Sequence, residues 1–327
     1  DVPKDGYQLY NGDGKIRGYL SMDTRGLRGA GAIQYLAATV YSDDFIYYPD
    51  SVITRGRSVK IAREQFGAVL FPQASLSDYE MKWYPKLDRM IFKNKKAPFA
   101  FYDSTAQMQG TVTVSKGGVS GAGRLLTRGT ELVSRDMRFT GDDFSARHGR
   151  FKVKTTDPDK PLFTGNDVRL RFNINENYAD ISPEVEGVAA IDFPYAQVKT
   201  SIQKARWDLD EQKIVMSKDA DVPIENSYFY TTRKELDSLY FNADRAQYNL
   251  KTQELKVSGI PFITVADAKI TPENNEVLIL ENARIGTLKN TTIVLDTLNG
   301  YHLLTEGVVD IISRKQFNGY ATYQYVN

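Results

Sequence analysis

The chain has 327 residues, with 42 basic side chains against 41 acidic ones and a formal net charge of +1. That balance lacks the electrostatic footprint of a nucleic-acid binder or of a module resting on an anionic membrane. There is no cysteine, which excludes disulfides, thiolate metal sites and cysteine nucleophiles. No stretch approaches the ~20 apolar residues of a membrane helix.

The N-terminal Asp1-Val-Pro-Lys-Asp-Gly6 has neither a basic n-region nor an apolar h-region, so no signal peptide is expected. Leu9 to Leu20 mimics a calcium loop. Asn11, Asp13, Gly14 and Ile16 fall where an EF-hand has its third, fifth, sixth and eighth positions, but Leu9 and Leu20 take the first and last ligand positions. A hairpin turn is the better reading, since Asn-Gly and Asp-Gly supply residues that tolerate positive φ. Gly31-Ala-Ile-Gln-Tyr-Leu-Ala-Ala38 fits a helical turn or a buried strand running into Thr39-Val40-Tyr41, and the strand is expected. Val59 to Phe66, and Tyr79 to Met90 with Pro85 inside it, are short and ambiguous.

Further along, period-two alternation dominates. Thr111-Val-Thr-Val-Ser115, Phe151-Lys-Val-Lys-Thr155, Val168 to Ile174 and Leu255-Lys-Val-Ser258 each present one apolar and one polar face, the pattern of a half-buried strand. Turn signals separate such segments at Lys116-Gly-Gly118, Gly141-Asp-Asp143, Thr156-Asp-Pro-Asp159 and Glu273-Asn-Asn275. The 20 Tyr and 16 Phe sit mostly in these alternating runs, which favours strands. The closing Tyr323-Gln-Tyr-Val-Asn327 reads like the end of a strand, as if the chain were a piece of something longer.

Gly26-Leu-Arg-Gly-Ala-Gly31 recurs as Gly118-Val-Ser-Gly-Ala-Gly123. In the same register Val40 matches Leu132, Ser42 matches Ser134, Asp44 matches Asp136 and Tyr47 meets Phe139. Neither glycine run has the third glycine of a dinucleotide fingerprint or a following Gly-Lys-Ser/Thr, so a bulge or a close approach of strands is expected rather than a phosphate site. Trp83 and Trp207 form a weaker echo, each followed by an apolar run, Met90-Ile-Phe92 and Ile214-Val-Met216. Repeated units of this kind imply stacked β-layers that share a core. Soft breaks after Lys93-Asn-Lys-Lys-Ala-Pro98 and within residues 217–226 divide the chain into three expected β-units, 1–105, 106–220 and 221–327.

In the third of these, Asp237 to Gly259 resembles the unit of OstA-like lipopolysaccharide-transport proteins. The matching positions are Ala243, Ala246 and Tyr248, the polar turn Lys251-Thr252, and Gly259 at the strand end. Phe139 to Phe151 resembles a second copy, and Ala266 to Pro272 followed by Val277 to Ala283 a third. The resemblance covers about a third of the chain. It implies an open, curled β-jellyroll, whose trough carries acyl chains in the transport members. The Tyr/Asn/Asp/Lys-rich strands also resemble large surface and envelope proteins of Bacteroidota-type bacteria.

Signals for catalysis are poor. The two histidines, His148 and His302, lie far apart and outside any H-x-x-x-H spacing. His148 follows Ser145 and Asp142-Asp143, but no nucleophile elbow is present; it reads as a surface strand residue, and His302 as a strand residue beside Tyr301. Asp43-Asp44 and Asp142-Asp143 are expected to point to opposite faces, as adjacent strand residues do, and Glu184 and Glu186 lie in a turn-like segment. Tyr47-Tyr48, Tyr228-Phe229-Tyr230 and Tyr320/Tyr323/Tyr325 could stack on sugars or peptides, or pack across strands.

The expected fold is all-β: stacked antiparallel β-units forming an elongated curled jellyroll or solenoid-like sheet with few short helices. The expected role is a non-catalytic structural or scaffold module of a bacterial envelope or surface protein, periplasmic or extracellular. Its partners would be other protein chains or envelope components, with lipid as a further option and without nucleic acid or cofactor. A hydrophobic-groove lipid carrier and a carbohydrate-active β-helix or sandwich enzyme are the alternatives.

Overall fold

The computed structural model describes residues 5–157, 159–296, 298, 300 and 302–323. Strands make up 63% of it, helix 6%, and no helix reaches seven residues. The expected all-β class is therefore observed, and the strand pairings are antiparallel. Two compact units are formed, one by residues up to Gly149 with Phe172–Glu176, the other by Arg150–Arg171 with the chain from Asn177 onward.

The first unit is a meander. It runs through β1 (Tyr7–Leu9), β2 (Gly14–Asp23), β3 (Gly26–Tyr35), β4 (Ala38–Tyr47) and β5 (Val52–Ile61). A separate ribbon, β6 (Gln65–Phe66) with β7 (Val69–Leu70), intervenes before β8 (Ala74–Tyr84) pairs with β5. One half of β8 pairs with β9 (Arg89–Asn94) and the other with β10 (Phe99–Phe101). Both lead on to β11 (Ala106–Ser115), β12 (Gly118–Thr127) and β13 (Thr130–Phe139), and β14 (Asp143–Val153) follows in the chain. Gly31–Ala38 is thus strand, a turn at Leu36-Ala37 and strand again. Pro85 stops β8 and opens a single 3-10 turn.

Mid-strand bulges let these long strands bend around a core. Asp43-Asp44, Ser77-Asp78, Arg135-Asp136 and Arg147-His148 are consecutive exposed residues flanked by buried ones. Each slip of the alternation turns the apolar residues of both half-strands inward, which a regular strand could not do through a bend. The sheet consequently closes over its own apolar side. Tyr35 of β3 lies 5.2 Å from Trp83 of β8, and Phe101 of β10 stacks on Phe139 of β13 at 4.2 Å, although neither pair belongs to neighbouring strands.

The two Gly-Ala-Gly segments are sites of close strand approach. Gly31 pairs opposite Gly18, and Gly123 opposite Gly110. Gly31 and Gly123 have φ of +129° and +151°, and a Cβ on either would fall 2.1 Å from the carbonyl oxygen of Arg17 or Gln109. Ser42 and Ser134 sit opposite these glycines, and their hydroxyls accept the N–H of Asp44 and Asp136 at 3.1 and 3.0 Å. The repeat extends beyond the glycine segments to a tyrosine at the same spacing. Tyr10 Oη lies 2.7 and 2.9 Å from the carbonyl oxygens of Tyr48 and Ser51, and Tyr102 Oη lies 3.0 and 2.7 Å from those of Thr140 and Asp143.

The second unit is built from shorter strands in two ladders. One ladder runs β16 (Tyr178–Pro183), β19 (Lys204–Asp208), β20 (Lys213–Ser217), β23 (Arg245–Asn249), β24 (Glu254–Ser258), β27 (Glu276–Leu280) and β28 (Arg284–Ile285). The other begins at Thr164-Gly165 of β15 (Phe163–Asn173). It continues through β17 (Ile191–Phe193), β18 (Val198–Thr200), β21 (Tyr228–Thr231) and β22 (Tyr240–Asn242). It ends with β25 (Ile263–Val265), β26 (Ala268–Thr271), β29 (Leu288–Leu295), β30 (His302–Ser313) and β31 (Gln316–Tyr323). The chain alternates between the ladders, one hairpin at a time. Their inner faces meet: Phe193 lies 4.6 Å from Tyr248, and Phe163 lies 5.2 Å from Trp207.

Two hairpin loops of the first ladder, β19–β20 and β23–β24, share one design. Trp207 faces Ile214 and Tyr248 faces Leu255 across four-residue turns that close on Gln212 and Gln253, both at positive φ. The Oδ1 atoms of Asp208 and Asn249 each accept two loop N–H groups at 2.8–3.2 Å, the local bonding that makes Asp and Asn good turn formers. Trp83 faces Met90 across a similar turn in the first unit, with Asp88 at positive φ. The two tryptophans therefore echo as hairpin positions.

Candidate ligand cleft

The residues singled out for chemistry are mostly committed to structure. His148 is an exposed residue in the β14 bulge, at φ +47°. His302 opens β30, with Nδ1 3.2 Å from Tyr323 Oη. Asn11 and Gly12 form the tight connection between β1 and β2 at positive φ, so the calcium-like segment is a hairpin turn. Asp13 pairs with Lys116 at 3.3 Å. No group of three or more potential metal ligands occurs among the described residues.

The carboxylate pairs need one correction. Asp43 and Asp44 do not alternate; the bulge exposes both. They still do not act as a pair, because Asp43 meets Arg57 at 3.1 Å and Asp44 meets Arg28 at 2.8 Å. Asp142 accepts from Arg63 and from Asn175, each at 2.9 Å. Glu184 lies 3.8 Å from Arg169, and Glu186 accepts from Asn226 at 2.9 Å.

The exposed aromatics separate more sharply. Phe45 and Tyr47 are ring neighbours at 6.4 Å, and burial pushes the Tyr47 phenol up. Tyr320 and Tyr323 stand on the exposed β31, and Tyr325 lies outside the described residues. Tyr228-Phe229-Tyr230 is different. Phe229 turns inward and is fully buried, stacking at 6.1 Å on Phe241 of the neighbouring strand. Strict alternation then places Tyr228 and Tyr230 together on the outer face, with ring centroids 6.2 Å apart. Across the ladder, Tyr240 pairs opposite Tyr230 and Asn242 opposite Tyr228.

These side chains line an open cleft of about 920 Å³, walled by Gly187–Ala189 and rimmed by Glu225, Ser238 and Arg314. The wall is pinned, because Tyr228 Oη donates to Gly187 O at 3.0 Å. The rim is held too: Asn242 Nδ2 donates to Ile224 O at 2.9 Å. Arg314, from the β30–β31 turn, places its guanidinium 5.4 Å from the Tyr240 ring centroid, a cation–π distance. Its backbone N–H donates to Leu236 O, and its carbonyl accepts from Ala266, which fixes the turn. Neighbouring Lys315 pairs with Asp237 at 2.8 Å. On the other side, Lys199 opposite Tyr230 pairs with Asp192 at 3.5 Å; burial raises the Asp192 pKa and Lys199 opposes the shift.

Of this cleft, the sequence marked Tyr228 and Tyr230. It did not mark Glu225, which lies close to Tyr228 in the chain, Tyr240 and Asn242, which strand pairing brings near, or Arg314, which the β30–β31 turn supplies. The matching Tyr-Phe-Asn pattern at 240–242 is the local signal that could have found Tyr240. Comparison with protein-family models, with curated proteins and with solved structures gave no match.

Proposed function

We propose that the chain is a structural scaffold module of a bacterial envelope or surface protein, holding partners on its outer faces. The observation that carries this reading is the filling of its interiors by the chain's own side chains. In the first unit Trp83, Tyr79, Phe92, Phe101 and Phe144 are buried, and in the second the Phe193–Tyr248 and Phe163–Trp207 contacts join the two ladders. Aromatic contacts at these distances are close packing, so the outer faces and strand edges remain for work. Repeated bulges and hairpins suit a module whose output is shape.

The lipid-carrier reading keeps one specific support. The OstA-like stretch at 237–259 forms paired hairpin strands of two ladders, as a jellyroll unit would. Against it stand the rings between those ladders, where acyl chains would have to lie. Subcellular fractionation of the source cells with immunodetection tests the scaffold proposal. The protein is expected in the envelope or surface fraction, and a predominantly soluble cytosolic pool would overturn it.

A further inference from the structure

The cleft over β21 and β22 has a composition that holding the fold together does not require. Tyr240 is 47% exposed, yet it is aligned with Tyr230 and Tyr228 rather than scattered. Inward Phe229 and Phe241 anchor the strands, and two of the outer rings are held, Tyr228 by its bond to Gly187 O and Tyr240 by the Arg314 guanidinium. Rigid, amphipathic rings give contact area at low entropic cost. On the neighbouring strands Lys199 is paired with Asp192, and beside Arg314 Lys315 is paired with Asp237. Glu225 and Arg314 at the rim form no ion pair with a described residue.

We propose that this cleft is a carbohydrate-binding site, taking a pyranose unit within an oligosaccharide chain. A pyranose face carries C–H groups whose positive hydrogens meet the negative face of an aromatic ring. Its hydroxyls each donate and accept, and so need rim partners of both kinds. Arg314 donates and Glu225 accepts, while Asn242 Oδ1 and the Ser238 hydroxyl add further polar atoms. Charges of both signs suit neutral hydroxyls better than a purely anionic ligand, which Glu225 would repel. The cleft is open, so the sugar chain can run through it with both ends outside. A proline-rich peptide would also stack on tyrosines, but its carbonyls only accept, leaving Glu225 without a partner. The site goes beyond the scaffold reading and does not depend on the compartment that reading assigns.

The test is affinity gel electrophoresis of the full chain through soluble xylan, laminarin and dextran, with a proline-rich peptide as competitor. Retardation is expected on at least one polysaccharide. Tyr240→Ala and Arg314→Ala should each weaken it tenfold or more, while Tyr320→Ala, an exposed tyrosine elsewhere, should leave it unchanged. Tyr240 and Arg314 lie at the surface, and an unaltered circular dichroism spectrum confirms that each variant is folded. No retardation on any polysaccharide overturns the proposal. So does retardation that survives Tyr240→Ala, or binding that the peptide displaces.

Discussion

Gly123→Ala probes the close strand approach that the Gly-Ala-Gly repeats create. Gly123 has φ +151°, and an added Cβ would lie 2.1 Å from Gln109 O and 2.9 Å from Gly110 Cα. A side chain at such a φ costs about 1–2 kcal/mol by itself. Relieving the contact requires β11 and β12 to part by about 1 Å or more, which weakens the flanking ladder bonds at about 1 kcal/mol each. The expected loss is about 3–5 kcal/mol. Gly129→Ala is the control: its φ is +76° but nothing lies within 4 Å of the new Cβ, so about 1–2 kcal/mol is expected. Urea unfolding in a Trp207→Phe background leaves Trp83 as the reporter of the first unit. If Gly123→Ala and Gly129→Ala unfold within about 0.5 kcal/mol of each other, positive φ alone explains the glycine and the close approach carries no energy. Gly31→Ala, with its Cβ 2.1 Å from Arg17 O, should behave as Gly123→Ala does.

Burial, the first cause in each case, raises the phenol pKa of Tyr35, Tyr47, Tyr79, Tyr102 and Tyr248, with Asp88 adding to the shift at Tyr35. In the unfolded chain these phenols ionise near 10, so their stabilisation is complete below about pH 10 and declines as pH rises above it. Absorbance at 295 nm should show a set of tyrosines ionising only as far-ultraviolet dichroism is lost; complete titration near pH 10 with dichroism intact would contradict this. Tyr102→Phe removes the hydroxyl shared by Thr140 O and Asp143 O and should cost about 1–3 kcal/mol in denaturant unfolding. Tyr10→Phe, at a more exposed copy of the same bond, should cost less. Asn249→Ala frees the N–H groups of Lys251 and Thr252, with an expected loss of about 0.5–1.5 kcal/mol and faster proteolysis at that loop. Trp207→Ala should lose about 3–5 kcal/mol, seen as a lower midpoint for the second unit, because it empties a position packed against Phe163.

Alternation made the strands legible, and the same rule hid the bulges. Asp43-Asp44 and Arg147-His148 look like interruptions of a strand, and only the fold shows that each is where a strand bends and keeps both halves facing inward. The Gly-Ala-Gly pair was readable because glycine has few other reasons to recur in register. Its extension keeps a tyrosine at the same spacing, Tyr10 and Tyr102, but the equivalent acceptors are backbone carbonyls of unlike residues, Tyr48 and Thr140, which sequence does not reveal. The Trp83 and Trp207 echo rested on hairpin geometry, which spacing alone does not separate from chance. At the cleft, Tyr228 and Tyr230 were visible as neighbours in sequence. Tyr240 arrives through ladder pairing, with the Tyr-Phe-Asn echo at 240–242 as its local signal, and Arg314 arrives from a distant turn that no local pattern marks.

A scaffold working through its outer faces has interiors filled by its own side chains, with no room for a lipid cargo. Native mass spectrometry of the chain purified from its source without detergent, with organic extraction of the same sample, tests this most directly. The polypeptide mass alone, with no acyl lipid in the extract, is the predicted result. Stoichiometric lipid that stays bound through purification would contradict the packed interior and favour a carrier.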